Sequence, residues 1–133
     1  YRAAFFVLSQ NLVHGDALVF LERIEPAAFA GARIFFPDPW PKVRQRHRRL
    51  VRTDVVACLV DRLVPGGWIH LATDIDDYSL QMQQVCNGHP ELTGGLIDRP
   101  AWRPITRYER RGAADGRAAA DLWFERDATE AAP

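Results

Sequence analysis

The chain has few cysteines, and this limits the kinds of site that it can hold. Two cysteines occur among 133 residues, Cys58 and Cys86, with no vicinal pair and no histidine at ligand spacing. We therefore expect neither a disulfide scaffold nor a zinc site, and no other bound metal. Unpaired cysteines of this kind favour a reducing, cytoplasmic setting.

Long hydrophobic runs are also absent. No apolar stretch approaches the roughly 20 residues that a helix needs to span a bilayer. Residues 1–10 lack the charged flank and the cleavage site of a signal peptide, so we expect no membrane partner. With 47% hydrophobic residues, the chain can bury the modest core of a single domain over residues 1–133, with a disordered tail at 127–133.

The chain has no net charge, because Lys and Arg together number 17 and so do Asp and Glu. This average hides a separation of sign. Residues 42–52 contain six Lys and Arg residues and no acid, whereas residues 61–98 contain six acids and only Arg62 opposes them. A local cationic surface can attract nucleic acid even at zero net charge. The basic run predicts an RNA-backbone surface formed by Arg44, Arg46, Arg48 and Arg49; the alternative is a solvated helix face.

Short apolar strands alternate with helical patterns through the middle of the chain. Strands are predicted at 33–36 and 68–72, and apolar residues at helical spacing predict helices over 50–64 and 75–86. This alternation predicts an α/β fold with a parallel sheet and right-handed crossovers. The last strands, 92–97 and 121–126, have no clear helix between them, which favours an antiparallel pair at the sheet edge.

A glycine-rich turn is missing from this pattern. Dinucleotide-type α/β folds open with a strand, a glycine-rich turn and a helix. No G-x-G cluster precedes Asn11. We therefore expect that the first strand and its turn are missing and that residues 1–133 form a partial domain.

The most informative motif is the run Phe35-Phe36-Pro37-Asp38-Pro39-Trp40-Pro41-Lys42. Proline disfavours the helical conformation for the residue before it, so Asp38 should lie just beyond a strand end, where open α/β sheets bind ligands. Rigid prolines, one acid and a flat aromatic can hold a planar base. The alternative for Asp38 is a turn aspartate, and the alternative for Trp40 is a buried core aromatic.

Two further acids follow predicted strands. Asp16 and Asp74 occupy positions at which acids bind ribose or base edges in this architecture, or at which they cap the following helix. Asp76 and Asp77 are assigned to helix capping. In the polar loop that precedes the last strand, Thr106 and Glu109 could hydrogen-bond a guanine edge; alternatively, Glu109 forms a salt bridge with Arg107, Arg110 or Arg111.

The proline-aspartate-tryptophan run, Thr106-Arg107-Tyr108-Glu109 and Asp121-Leu122-Trp123-Phe124-Glu125-Arg126 together resemble the bacterial tRNA (guanine-N7-)-methyltransferase family. The resemblance covers about residues 11–126. It implies a Rossmann-like class I methyltransferase sheet, mostly parallel with an antiparallel C-terminal edge. It also implies methyl transfer from S-adenosylmethionine to guanine N7 in the tRNA variable region.

The resemblance also implies roles for single residues. It gives Asp38 both the catalytic position and a place in the methyl-donor pocket, and Asp16 a contact with the adenine of the donor. On the tRNA side it implies substrate contacts by Lys42, Asp74, Thr106, Arg107, Tyr108 and Glu109. The chain departs from the family pattern at Gln45, where a histidine is usual, and at Arg117, where Gly-His is often found.

Methyl transfer to N7 needs no strong base, because this nitrogen carries a free lone pair at neutral pH. Positive charge moves onto the purine, and a fixed carboxylate such as Asp38 can stabilise that charge. Two rival functions are another nucleobase N-methyltransferase and an RNA-binding remnant without a complete donor site. The oligomeric state, monomer or homodimer, is left open by the sequence.

Overall fold

A computed structural model describes residues 3–8 and 11–129 of the chain. Within them lie six strands, four α-helices and one 3₁₀ helix. In chain order they are β1 (Ala3–Leu8), β2 (Asn11–Asp16), α1 (Ala17–Arg23), β3 (Phe29–Phe35), the 3₁₀ helix (Val43–Arg48), α2 (Thr53–Arg62), β4 (Leu63–Thr73), α3 (Asp76–Asn87), β5 (Leu92–Ile97), α4 (Arg107–Ala114) and β6 (Ala120–Arg126).

The main sheet has four strands in the order β3-β4-β6-β5. Strands β3 and β4 are parallel, whereas β6 runs antiparallel to both β4 and β5. The α/β class and the antiparallel C-terminal edge are therefore confirmed. Among the described residues, β1 and β2 form a separate antiparallel pair.

The hydrophobic core lies between one face of this sheet and helices α2 and α3. Strand residues Ile69, Leu71, Leu122 and Phe124 alternate with residues on the opposite face, so their side chains meet the helices. Helix α2 buries Val55, Val56, Leu59 and Val60, which recur at helical spacing. Each such side chain stabilises the folded state by roughly 1.5–3 kcal/mol when it is fully buried.

The predicted helix over 50–64 is longer than the observed one. Helix α2 ends at Arg62, and β4 begins at Leu63 with extended backbone angles. Leu63 is fully buried, but it belongs to β4. Its apolar side chain happens to fit the helical spacing of α2, which is why the predicted helix was too long. Gly66 has a φ of 80°, which allows the chain to turn within the first part of β4.

The prediction of no helix between the last two strands is wrong. Helix α4 fills this interval, and the Thr106 hydroxyl caps it by accepting a hydrogen bond from the backbone N–H of Glu109 at 3.2 Å. The helix buries only Glu109 and Gly112. Because neither residue is apolar, the sequence carries no hydrophobic periodicity that would have indicated a helix here.

The predicted tail is only partly described. The backbone N–H of Asp127 donates to the carbonyl of Glu91 at 2.8 Å, which extends the pairing just beyond β6. Residues 130–133 lie outside the described residues. For them, the predicted disorder stays a prediction.

Candidate active site and nucleic-acid interface

The proline-aspartate-tryptophan loop leaves the sheet at the carboxyl end of β3. The backbone N–H of Phe36 donates to the carbonyl of Ala72 at 2.7 Å, so the loop starts beside the carboxyl end of β4. Phe36 and Trp40 have positive φ angles of 51° and 41°. Such left-handed conformations cost non-glycine residues roughly 1–3 kcal/mol each and persist where the surroundings hold them. Asp38 therefore lies between two constrained residues.

Asp38 is exposed at the centre of this loop. One carboxylate oxygen, Oδ1, accepts a hydrogen bond from the backbone N–H of Trp40 at 3.2 Å. The turn geometry that was the alternative for this residue is thus present. Within the described residues the second oxygen makes no hydrogen bond, so the same carboxylate can still face a ligand.

Arg49 is buried beneath the loop and binds its backbone. Its side chain is 1% exposed, and its Nε donates to the carbonyl of Pro39 at 2.6 Å. The two terminal nitrogens donate to Gln81 at 2.9 Å and Asp77 at 2.7 Å, and the guanidinium lies over the Tyr78 ring at 4.6 Å. The prediction that Arg49 contacts the RNA backbone is therefore corrected, because its donors are bound to protein acceptors inside the fold.

Asp77 is likewise an ion-pair residue more than a helix cap. Its Oδ2 lies 2.7 Å from Arg49 and 3.3 Å from Arg46. The hydrogen bond from Arg49 is the main reason that the pKa of Asp77 is lowered from its ordinary value. Asp76 and Asp77 do lie in the first turn of α3, but the N-cap residue is Ile75, which has no side-chain capping bond.

The remaining basic residues form an exposed surface next to Asp38. Lys42, Arg44, Arg46 and Arg48 are all exposed on or beside the 3₁₀ helix. The Arg48 guanidinium lies 5.1 Å from the centroid of the Trp40 ring. Trp40 is half-buried, so it is neither a core aromatic nor a fully open stacking platform. The loop thus presents one acid beside four cations.

Helix α4 meets the loop through Tyr108. The Tyr108 ring is 50% exposed, and its centroid is 5.6 Å from that of Phe36 in an edge-on arrangement. Arg107 is also exposed, whereas Thr106 uses its hydroxyl to cap the helix. The structure therefore brings Tyr108, a predicted substrate residue, against the start of the loop that contains Asp38, and Arg107 precedes it in the same helix turn.

Asp74 follows β4 but is 4% exposed. Its Oδ2 accepts a hydrogen bond from Arg117 Nε at 3.1 Å, which joins the strand end to the segment after α4. A Cβ at Gly112 would lie 2.6 Å from that oxygen, so glycine is needed for the close approach of helix and acid. The hydrogen bond that Arg117 donates to Asp74 is the main reason that the pKa of Arg117 is raised.

Glu109 is buried, and its partner is not among the arginines that the sequence suggested. Its carboxylate accepts two hydrogen bonds from Arg103, at 2.8 and 3.0 Å. The alternative of a salt bridge is therefore present, but with Arg103 in place of Arg107, Arg110 or Arg111. Those three lie at the exposed surface of α4, where they cannot reach a buried carboxylate as directly.

A buried hydrogen-bond network surrounds Arg103, and it was not predicted from the sequence. Asp121 accepts hydrogen bonds from Arg103 and lies 2.7 Å from His70 Nε2, and all three side chains are at most 2% exposed. His70 packs among the rings of Phe35 and Trp102. The available signal was a single histidine in the apolar run 68–72 and an acid that opens the last strand.

Asp16 lies apart from the other predicted site residues. Its Oδ1 accepts a hydrogen bond from the backbone N–H of Leu18 at 2.9 Å and thereby caps α1. Asp16 does end a strand, as predicted, but β2 pairs with β1 and not with the four-stranded sheet among the described residues. The structure does not bring Asp16 and Asp38 to one sheet edge.

Two searches of the structure concern residues 3–8 and 11–129 only. None of the helices there is both long and apolar enough to pass through a membrane. Nor do three or more His, Cys, Asp or Glu side chains group there in a way that could hold a metal ion.

Comparison with known proteins identifies the family of this chain. A family model described as "Putative methyltransferase" matches residues 9–122. The chain therefore belongs to this methyltransferase family, whose members require a methyl donor.

Curated relatives carry a more particular description, tRNA (guanine-N(7)-)-methyltransferase. One from Bordetella parapertussis is 43% identical over 124 residues, which cover 90% of this chain and 49% of the relative. Another from Streptomyces coelicolor is 40% identical over 122 residues, covering 87% of this chain and 45% of the relative. A third from Nitrosospira multiformis is 40% identical over 120 residues, covering 87% and 52%. The chain thus spans about half the length of the curated relatives it matches.

Proposed function

We propose that the chain provides the catalytic loop and the tRNA-binding surface of an S-adenosylmethionine-dependent tRNA (guanine-N7-)-methyltransferase. The observation that carries the proposal is the constrained loop beyond β3, which presents the Asp38 carboxylate beside four exposed cations. Relatives described as tRNA (guanine-N(7)-)-methyltransferases, at 40% identity or more, supply the named reaction. A tRNA substrate would be met in the cytoplasm.

The methyl donor would contact Asp38, whereas the predicted contact by Asp16 stays a prediction, because Asp16 caps α1 and its strand pairs outside the four-stranded sheet among the described residues. The Asp38 carboxylate is exposed and has one oxygen bound to the backbone N–H of Trp40; within the described residues the other oxygen is available to accept from a ribose hydroxyl or an adenine amino group. The chemistry of Asp38 therefore fits the polar part of S-adenosylmethionine. When bound, this donor supplies an electrophilic methyl group.

Asp38 would act on the base. Guanine N7 needs no proton removed before it reacts, and the purine gains positive charge as the new bond forms. A carboxylate held in place before the reaction stabilises that charge without reorganising. Arg49 and the two residues with positive φ, Phe36 and Trp40, fix the backbone on both sides of Asp38. Trp40 and Tyr108 would bound the base on its flat faces.

The tRNA backbone would contact the cations of the basic run. Lys42, Arg44 and Arg48 are exposed and have no acidic partner among the described residues, so their charge is available to phosphates. Arg46 shares Asp77 with Arg49 at 3.3 Å and should contribute less. Each phosphate contact releases counterions, so the affinity should fall steeply as salt is added.

The predicted substrate residues of α4 divide into two groups. Arg107 and Tyr108 are exposed and are assigned to direct tRNA contact, with Thr106 at the start of the helix beside them. Asp74 and Glu109 are buried, and arginines hold both carboxylates. These two acids are assigned to positioning.

The test is the initial rate of labelled methyl transfer from S-adenosylmethionine to unmodified tRNA. Asp38→Ala should lower the rate by about 10²–10³-fold, as removal of one preorganised electrostatic contact does elsewhere. Asp98→Ala is the matched control, because Asp98 is exposed outside the loop, and its rate should equal that of the unmodified chain. Equal rates for the Asp38 and Asp98 variants would reject the catalytic role.

Titrations with S-adenosylhomocysteine and with tRNA show whether a loss of methyl transfer comes from weaker donor binding, from weaker tRNA binding or from slower chemistry. If neither the chain nor its variants transfer methyl groups or bind S-adenosylhomocysteine, but all bind tRNA in a salt-dependent way, an RNA-binding module without a donor site would replace the enzyme. Binding of both ligands by the Asp38 variant, with slow transfer, would support the proposal.

A further inference from the structure

Arg103 is a buried cation between two carboxylates. It is 2% exposed and donates to both oxygens of Asp121, through Nε and Nη2, each at 2.7 Å. It also donates to both oxygens of Glu109, at 2.8 and 3.0 Å. Two bidentate, charge-assisted pairs fix the plane of the guanidinium as well as its position.

The acids that Arg103 joins belong to separate parts of the fold. Asp121 is in β6, and its Oδ2 lies 2.7 Å from Nε2 of His70, which is in β4. Glu109 is in the first turn of α4. The guanidinium also lies 5.6 Å from the centroid of Phe36, the first residue of the loop with a positive φ. A single side chain thus connects the sheet, the loop of Asp38 and α4.

Helix α4 makes few apolar contacts with the rest of the fold. It buries only Glu109 and Gly112, and it contributes no residue to the hydrophobic core. Apolar packing of its first turn is therefore limited to the edge-on contact of the half-exposed Tyr108 ring with Phe36. The bidentate ion pair between Glu109 and Arg103 is a buried contact that ties this first turn to the sheet, because Arg103 also binds Asp121.

We infer that Arg103 is a positioning residue, which places the first turn of α4 against the loop of Asp38, and that Glu109 acts on the substrate through Arg103 and not by touching the guanine. The inference rests on the proposed function. Glu109 is 9% exposed at its side chain, and both its oxygens already accept from Arg103. A guanine contact would have to compete with this pair.

The first experiment is independent of activity. In Arg103→Lys the charge remains, but a lysine cannot form two bidentate pairs. Amide hydrogen exchange should become about tenfold faster or more in α4 than in the unmodified chain, with exchange in α2 and α3 unchanged. The control is Arg110→Lys, on the exposed surface of the same helix, which should leave α4 unchanged. Unchanged exchange in the Arg103 variant would overturn the inference.

The second experiment separates positioning from direct contact. Methyl transfer is measured for the unmodified chain and for Glu109→Gln, on tRNA with guanosine or with inosine at the target position. Inosine lacks the N2 amino group that a carboxylate would contact. If Glu109 acts through Arg103, the variant should raise the KM for tRNA by about tenfold with both targets, since small misplacements affect reactivity strongly.

A loss that is large with guanosine and disappears with inosine would overturn the inference in favour of direct contact. Fast exchange of α4 in Arg103→Lys, together with no transfer by the unmodified chain, would support positioning by Arg103 and reject the proposed reaction. The failure of the inference and the failure of the proposed function are therefore distinguishable.

Discussion

Replacement of Arg49 by alanine tests how the loop of Asp38 is held. The change removes donors to Pro39, Gln81 and Asp77 and leaves a cavity beside Tyr78. Breaking a buried ion pair typically costs 3–5 kcal/mol, but Asp77 is 44% exposed and can be rehydrated. We therefore expect the free energy of unfolding to fall by about 2–4 kcal/mol, a large part of the roughly 5–15 kcal/mol typical of a small domain.

The assay is urea denaturation followed by circular dichroism, with Arg48→Ala as the matched control. Arg48 is adjacent but exposed, and its only described ring contact is with the half-buried Trp40 at 5.1 Å. Its removal should cost less than about 1 kcal/mol, as exposed cation–π pairs do. Arg48→Ala should instead reduce the salt dependence of tRNA binding, which Arg49→Ala should leave unchanged. Equal stability of the two variants would refute the structural role of Arg49.

Three further predictions concern other parts of the fold. Gly112→Ala should lower the free energy of unfolding by roughly 1–3 kcal/mol, because the added Cβ would lie 2.6 Å from Asp74 Oδ2. Urea denaturation measures this loss, and an unchanged midpoint would contradict the predicted clash. Burial raises the pKa of Cys86 to about 12, so a thiol reagent at pH 8 should modify the half-buried Cys58 in the native protein and Cys86 only after unfolding; equal rates in the native protein would contradict the burial. The lowered pKa of Asp77 means that its ionised form stabilises the fold above the ordinary value of 3.8 and that this contribution is lost as the pH falls through the lower folded value. Acid titration should therefore unfold the unmodified chain with a larger loss of stability below pH 4 than it does Asp77→Asn, and parallel titration curves would refute this.

The sheet was largely predictable because its signals are local. Apolar runs bounded by turn residues predicted the last two strands, and β5 occupies the predicted residues 92–97. The proline rule predicted that Asp38 would lie beyond a strand end, and β3 ends at Phe35. Antiparallel pairing at the edge was predicted because no clear helix was expected between these strands; the pairing is confirmed, although the connection contains α4.

The buried arginines could not be predicted, because distant residues decide which cations are enclosed. Arg48 and Arg49 are neighbours in one basic run, yet only Arg49 meets α3, through Asp77 and Gln81. Similarly, Arg103 finds Asp121 only once β6 has paired with β4. Helix α4 was missed for a related reason, since an ion pair holds it in place of an apolar face.

The most direct measurement is the identity of the labelled nucleoside after methyl transfer to unmodified tRNA. We predict that the label is recovered as 7-methylguanosine from the variable region, and that replacing the target guanosine by 7-deazaguanosine, which has carbon in place of N7, abolishes the labelling. Label recovered in any other nucleoside, or retained with the 7-deaza substrate, would contradict methyl transfer to guanine N7.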